Sequence, residues 1–408
     1  MAAFKHQRVA VIGAGVTGST IAHQLSRSGL PIAIDVFEMG RGPGGRASTR
    51  FTRQLPGVWY NHGAPCFHVC DPAVTAFIES LAGKQCIEEY KGKVMSIDWA
   101  TKGVRQADTT RASHGSSGDA ETCKIYRGVP HMASLCSALL EGDNITKREQ
   151  TMIVEYCFDK TTQQWRLVDK QAKEYAGYDY LIITSVTNGH PRFQKTFGLP
   201  PPLTVAGDRL AAAQVSDAVQ RVAAMMGEVK SDPIFSLMVT YPVSDAPPSL
   251  PFDCLLIENG MLSKVVQMPL PTPSAGHSPS PSHVSFVAHS TPAFAEEHIS
   301  VSASSDPDAL DRLAKTMADH LKMVLQTVAK EAASKMDMDS PAAVQAHRWG
   351  SCFPVGVPDG LRGRGCVGDE KIGVYVAGDF MVAASVEGAM SSALVTSEKV
   401  MSQVRAKL

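Results

Sequence analysis

Three glycines in Gly13-Ala14-Gly15-Val16-Thr17-Gly18 stand where a strand must turn into a helix, and no other feature constrains the fold as strongly. The preceding residues 8–12 are short, β-branched and apolar, the pattern of a strand covered on both faces. Residues 17–28 read as a helix that Gly29 ends, residues 32–37 read as a second strand, and Glu38 closes that strand. In such a unit one glycine permits the tight turn, one lets a pyrophosphate approach the backbone, and one lets the helix pack on the sheet. The acid is spaced to accept hydrogen bonds from an adenosine ribose. A glycine motif alone is weak, but here strand, helix, second strand and acid agree. The expectation is an α/β fold opened by a dinucleotide-binding unit.

The chain has 408 residues, room for two intimately packed domains or one large one. Its formal charge of -1 excludes a whole-chain field that would draw nucleic acid or an acidic membrane. No apolar run approaches the length of a membrane span. The first strand starts within the opening residues, so no signal peptide is expected and a cytoplasmic location is. Nine cysteines without CxxC pairs read as reduced, mostly buried thiols. His62, Cys66, His68 and Cys70 lie close enough to raise a zinc site. Their spacing matches no common finger, and alternation along a strand would send the side chains to opposite faces, so no metal is expected.

Residues 103–121 and the Pro/Ser-rich 269–282 read as loops between paired strands. Residues 130–140 read as a helix, 151–158 with 165–169 as a hairpin, and 180–185 as a buried strand. Residues 234–241, 254–258, 264–268 and 284–289 form a later group of strands. Asp306-Pro307 then opens a helix with Leu310, Leu313, Met317, Leu321, Val324 and Val328 on one face.

The last segment matters as much as the first. Residues 374–377 are a strand leading into Gly378-Asp379, and Val386-Glu387-Gly388-Ala389 opens a closing helix over 386–400. A carboxylate there can hold sugar-chain hydroxyls, and the amides of the helix start can face a negative ring. Two such sites at opposite ends of one chain suit a long ligand such as FAD better than NAD.

With those residues in view, the chain resembles the renalase branch of the flavin amine oxidase superfamily. The matching text is VAVIGAGVTGSTIA from Val9, EMGRGPGGRASTR from Glu38, NHGAP from Asn61, RGVPHM from Arg127, AHSTPAFAEEHI from Ala288, HRW from His347 and AGDFMVAASVEGAMSSAL from Ala377. The matches run in order across nearly the whole chain. The resemblance implies a Rossmann-like FAD-binding domain of residues 1–90, 125–200 and 346–408. A mixed-sheet substrate domain with helices would comprise 91–124 and 201–345, as in amine oxidase and p-hydroxybenzoate hydroxylase folds.

The resemblance also implies a cofactor site holding noncovalent FAD. Gly13, Ala14, Gly15, Val16, Thr17 and Gly18 would lie on the pyrophosphate, with Glu38 and Met39 at the adenosine ribose. Gly45 and Arg46 would lie beside the pyrophosphate and ribityl chain, with Asn61, His62, Gly63 and Ala64 nearby, and the Thr151 backbone at adenine. Gly378 and Asp379 would hold the ribityl chain, and Val386, Glu387, Gly388 and Ala389 would meet the flavin pyrimidine edge. Asn61 and Pro65 replace an acid and a glutamine, Ile234 stands near an animal aromatic, and the stretch after Met268 lacks a Ser- and Lys-bearing pattern. Those departures bear on substrate, not on FAD.

Renalase-like enzymes oxidise misreduced dihydronicotinamide nucleotides, with hydride at ring position 2 or 6, back to NAD(P)+. Molecular oxygen then becomes hydrogen peroxide. Losing hydride from a dihydropyridine gives an aromatic pyridinium directly, so no general base is needed. His289 is the candidate catalytic residue, set against its reading as a core histidine bonded to backbone. Arg348 and Trp349 are candidate pocket residues, set against an ordinary core tryptophan with a paired arginine. The alternatives are an amine oxidase or desaturase-like FAD oxidoreductase, and a flavin-binding module without catalysis.

Overall fold

The computed structural model describes residues 6–107, 123–244, 247–269, 283–300, 306 and 308–408. The expected loop over 108–121, the Pro/Ser-rich 270–282 and Pro307 lie outside the described residues.

Two large sheets organise the chain. The first has six strands: β1 (Gln7–Ile12), β2 (Ile32–Phe37), β5 (Ile145–Arg148), β6 (Tyr180–Ile183), β12 (Cys366–Asp369) and β13 (Val374–Ala377). Their order is β5-β2-β1-β6-β13-β12, parallel throughout except for the β12–β13 pair at one edge. The apolar run Val9–Ile12 is buried on both faces, as a parallel strand must be. Helices α1 (Val16–Arg27) and α4 (Val386–Lys407) pack together over one of those faces. The last strand and helix of the chain therefore sit in the same unit as the first.

The second sheet has seven strands: β3 (Val94–Asp98), β4 (Gly103–Gln106), β7 (Lys230–Pro242), β8 (Cys254–Glu258), β9 (Leu262–Gln267), β10 (His283–Ser290) and β11 (Ala343–Gly356). They run in the order β11-β7-β10-β9-β8-β3-β4. Along β7 the side chains alternate. Phe235, Leu237, Val239 and Tyr241 join the core beneath helix α3 (Ala309–Val328), which contributes Leu313, Met317, Leu321 and Val324. The intervening residues of β7 face the other way, toward Tyr60, where Met238, Val266 and Val287 form a smaller apolar cluster.

Several expectations need correction. The loop expected from residue 103 is a strand over Gly103–Gln106, hidden because all four side chains are exposed and an edge strand carries no apolar stripe. The 151–169 hairpin gains a third strand, Glu174–Tyr178. Helix α3 starts at Ala309 rather than at 306; Asp306 instead accepts from the Asp308 amide at 3.1 Å and pairs with Arg312. The closing helix runs on to Lys407.

The cysteines are not all reduced. Cys70 and Cys123 form a disulfide, while the other seven are free. The register explains it: Val69 pairs with Lys124 across antiparallel strands, so Cys70 and Cys123 come next, with Cα atoms 4.4 Å apart. No sequence periodicity encodes that pairing.

Candidate functional site

The glycine turn follows β1 directly. Gly13 has φ of 106°, a region that glycine occupies without cost. A Cβ on Gly18 would meet the Gly13 carbonyl oxygen at 1.9 Å, so α1 packs onto the turn only as glycine. A Cβ on Gly15 would meet nothing within 4 Å. That open space lies at the N-terminus of α1, where unpaired amides and the helix dipole favour an anion. Val16 and Thr17 form the first turn and are buried. Glu38 completes the crevice: its carboxylate accepts from the Ala14 amide at 2.9 Å and the Gly40 amide at 2.6 Å, while Met39 beside it is exposed.

A second turn, Gly44 to Ala47, folds onto the first, with the Gly44 amide donating to the Ala14 carbonyl at 2.8 Å. It carries Arg46, whose guanidinium makes a bidentate pair with Asp379 at 2.6 and 2.7 Å and donates to the Cys352 carbonyl at 2.6 Å. Burial works against the Arg46 charge, but the Asp379 carboxylate more than offsets it and raises the pKa. Asp379 is buried and follows Gly378, whose φ of 156° lies at the limit of the glycine-favouring region. Arg46 and Asp379 come from opposite ends of the chain, and the turn that carries Arg46 lies against Gly15, where a Cβ on Gly45 would meet the Gly15 Cα at 3.5 Å.

Asn61 to Ala64 line the next wall. A Cβ on Gly63 would meet the Arg46 carbonyl oxygen at 1.9 Å, and the Ala64 amide donates to that same oxygen at 3.0 Å. The Asn61 side chain accepts from Thr49 at 2.8 Å and from the Met132 amide at 3.0 Å, which anchors helix α2 (Met132–Leu139). Thr151 lies at the rim, its amide donating to the Glu38 carbonyl at 2.8 Å. At the start of α4, Ser385 caps the Gly388 amide at 2.9 Å, and Val386 and Ala389 are buried. The Glu387 carboxylate turns away to the amides of Cys70 at 2.5 Å and Asp71 at 2.6 Å.

His62 joins this crevice to the second sheet. Its carbonyl accepts from His289 Nε2 and from Trp349 Nε1, both at 3.2 Å. Its ring stacks on Trp349 at 5.1 Å between centroids and meets His347 edge-on at 5.0 Å. All three imidazoles are held neutral. Burial is the main cause, taking His62 and His289 to about 3 and His347 to about 4, and neighbouring cations add to it. Candidate His289 thus stands in the site and also makes a backbone hydrogen bond.

Arg348 does not join it. It pairs with Phe235 of β7, whose ring belongs to the α3 core, and its exposed guanidinium donates to the Ile299 carbonyl at 2.5 Å. Trp349, opposite Ile234, is on the site's face. Sequence reasoning missed Arg50, Ser236, Lys264 and the His347 side chain. The only available signals were the two-residue spacing of His347 and Trp349, and a lone serine amid the apolar run of β7. Among the described residues no group of three or more His, Cys, Asp or Glu is placed to hold a metal, and no helix is long and apolar enough to cross a membrane.

Comparison with known proteins agrees with this architecture. Residues 11–81 match the model of an NAD(P)-binding Rossmann-like domain. A structure assigned as a protoporphyrinogen oxidase, from Exiguobacterium, superposes with a TM-score of 0.61 at 14% identity, covering 98% of this chain and 99% of its own. Putrescine oxidase bound to putrescine gives 0.59 at 12% identity, covering 97% and 99%. Cyclohexylamine oxidase from Brevibacterium oxydans gives 0.56 at 12% identity, covering 97% and 100%. At these identities the likeness is one of fold: the chain pairs a Rossmann-like unit with a mixed sheet, as these oxidases do.

Proposed function

We propose that the protein is an FAD-dependent oxidoreductase acting on a dihydronicotinamide reduced at ring position 2 or 6, with oxygen as final acceptor. The observation that carries the cofactor is the Arg46–Asp379 pair, borne by a turn whose Gly45 lies against the Gly15 Cα of the open glycine turn. The residues fit the group. The α1 amides around Gly15 bind pyrophosphate, Glu38 keeps free lone pairs for ribose hydroxyls, and Arg46 and Asp379 supply a cation and an acceptor further along. FAD supplies a two-electron hydride acceptor that oxygen can reoxidise to give hydrogen peroxide. The reading divides the chain into 1–90, 125–200 and 346–408 for FAD, and 91–124 and 201–345 for substrate.

The chain's own part in the chemistry is modest. Its three site imidazoles are neutral at pH 7 and act as hydrogen-bonding and stacking walls. That suffices for a dihydropyridine, which leaves as an aromatic cation once hydride has gone and releases no proton to a base. His289 orients the ring or its carboxamide, and Trp349 with Ile234 closes the apolar side. The second reading is amine oxidation, because putrescine and cyclohexylamine oxidases share the fold.

The test is anaerobic stopped-flow on the reconstituted protein with the 2- and 6-dihydro isomers, ordinary NADH and a panel of amines. Bleaching within seconds by the isomers and far slower reaction with NADH is expected, since a misplacement of about 1 Å costs on the order of a hundredfold. Bleaching by amines alone replaces this reading with the second. Acid precipitation should release the yellow colour, because FAD is held without a covalent bond; colour retained in the pellet contradicts that.

A further inference from the structure

The site face of the second sheet carries a polar row that crosses four adjacent strands. Lys264 of β9 lies opposite His289 of β10, His289 lies opposite Ser236 of β7, and Ser236 lies opposite His347 of β11. Residues directly opposite in neighbouring strands share a face, so the four side chains form one line about 14 Å long. The next row along is apolar on three strands, Val266, Val287 and Met238, and ends in Gln345 on β11. The polar row is therefore a stripe with a boundary rather than part of a wet surface.

Its charge is one-sided. Lys264, half-buried, has no hydrogen bond or ion pair among the described residues, and its charge bears on His289, Cys66 and Cys352. At the far end Arg50, also half-buried, approaches His347 Nδ1 at 3.4 Å and has no carboxylate partner among the described residues. Between these cations the imidazoles are neutral, and no acid belongs to the row. The Ser236 hydroxyl is fully buried and unpartnered, and so is His62 Nδ1 above it. Buried polar groups are seldom left without partners, so the two orphaned atoms mark where a ligand's polar atoms belong.

We propose that the Lys264–His289–Ser236–His347 row, capped by Arg50, is an anion-selective substrate subsite, and that Lys264 and Arg50 make the protein choose an anionic substrate over a cationic amine. The inference deepens the function proposed above and rests on it for the identity of the site. A carboxylate or phosphate meets two cations and the free Ser236 hydroxyl there, while an ammonium group meets two like charges and no counterion.

The test uses three probes on one ring: benzoate, phenyl phosphate and benzylamine. Each is titrated into the full-length protein, loaded with FAD and also apo. Binding is read from tryptophan fluorescence, since Trp349 stacks on His62, and from the flavin spectrum where FAD is present. Benzoate or phenyl phosphate saturates the signal, the tighter of the two naming the anion, and benzylamine binds at least about tenfold more weakly. Lys264→Gln and Arg50→Gln each weaken the anion about 10- to 100-fold, the range for one lost charge-assisted hydrogen bond. Lys264→Arg restores most of it, which separates charge from misfolding. Benzylamine binding more tightly than both anions, or an anion affinity unmoved by either glutamine variant, overturns the proposal. Failure of the cofactor reading looks different: apo protein that never takes up FAD yet still discriminates anions would keep this subsite and remove the flavin.

Discussion

The two halves of the candidate site are built in opposite ways. The crevice on the six-stranded sheet is made of backbone: glycines, amides at a helix start, and one carboxylate that two amides fix in place. The wall on the seven-stranded sheet is made of side chains that meet only through register, with Lys264 and His347 separated by 83 residues (347 − 264) and three strand spacings. A backbone site tolerates change in what surrounds it but not in the glycines. A register site tolerates glycine-scale change but loses its chemistry when one side chain is replaced. On this contrast, substitutions in the crevice move cofactor affinity, and substitutions in the wall move substrate recognition with little cofactor loss.

The largest break comes from Gly18→Ala. With the Gly13 carbonyl oxygen 1.9 Å from the new Cβ, α1 must shift off the turn, at a cost of about 1–3 kcal/mol or more, and FAD retention is lost. Gly15→Ala has nothing within 4 Å and leaves the melting temperature nearly unchanged, while its methyl occupies the space where an anion would sit. Thermal melts and FAD titration of the pair check this. Equal melting losses would mean the turn is strained for reasons other than the Gly18 contact.

The next effect separates two acids. Glu38→Ala removes an acceptor from the adenosine side of the crevice and weakens FAD by about one to two decades, from a lost charge-assisted hydrogen-bond energy of about 1.5–3 kcal/mol. Glu387→Ala leaves two amides without their acceptor and lowers stability by about 1–3 kcal/mol. It should move FAD affinity less than Glu38→Ala does. Equal losses of FAD would return Glu387 to the cofactor side, where the resemblance had put it.

Much of the crevice was legible because its information is local. The strand, the glycines, the helix and Glu38 fall within 31 consecutive residues (38 − 8 + 1), and hydrophobic periodicity marks each element. The wall was legible only in part. His289 can be picked out as a polar residue at a strand end and Trp349 through the HRW match, but that match also offers Arg348, which alternation sends to the opposite face. Lys264 gave no signal and Ser236 only its place amid an apolar run, because what makes them matter is who lies opposite, and register is set by the whole sheet. The Cys70–Cys123 disulfide escaped for the same reason.

The smallest expected effect probes the wall through pH. Burial holds the folded His289 at about 3, below the ordinary value of 6.5, so as pH falls the unfolded chain takes up a proton first. The stability belonging to this group is fully present above 6.5, drains as pH falls, and stops draining once the folded ring also protonates near 3. Between about pH 7.5 and about pH 5.5 the loss is about 1.4 kcal/mol for one histidine. His289→Gln can still donate to the His62 carbonyl but takes up no proton in either state. Chemical denaturation at both pH values should show the wild type losing more stability than the variant by that amount, while FAD affinity at the higher pH stays the same. His62 and His347 keep their own losses in both proteins, so the difference isolates one ring. An equal pH response in the two proteins would mean that His289 is open to water and charged like an exposed imidazole. His289 would then not be a neutral member of the wall.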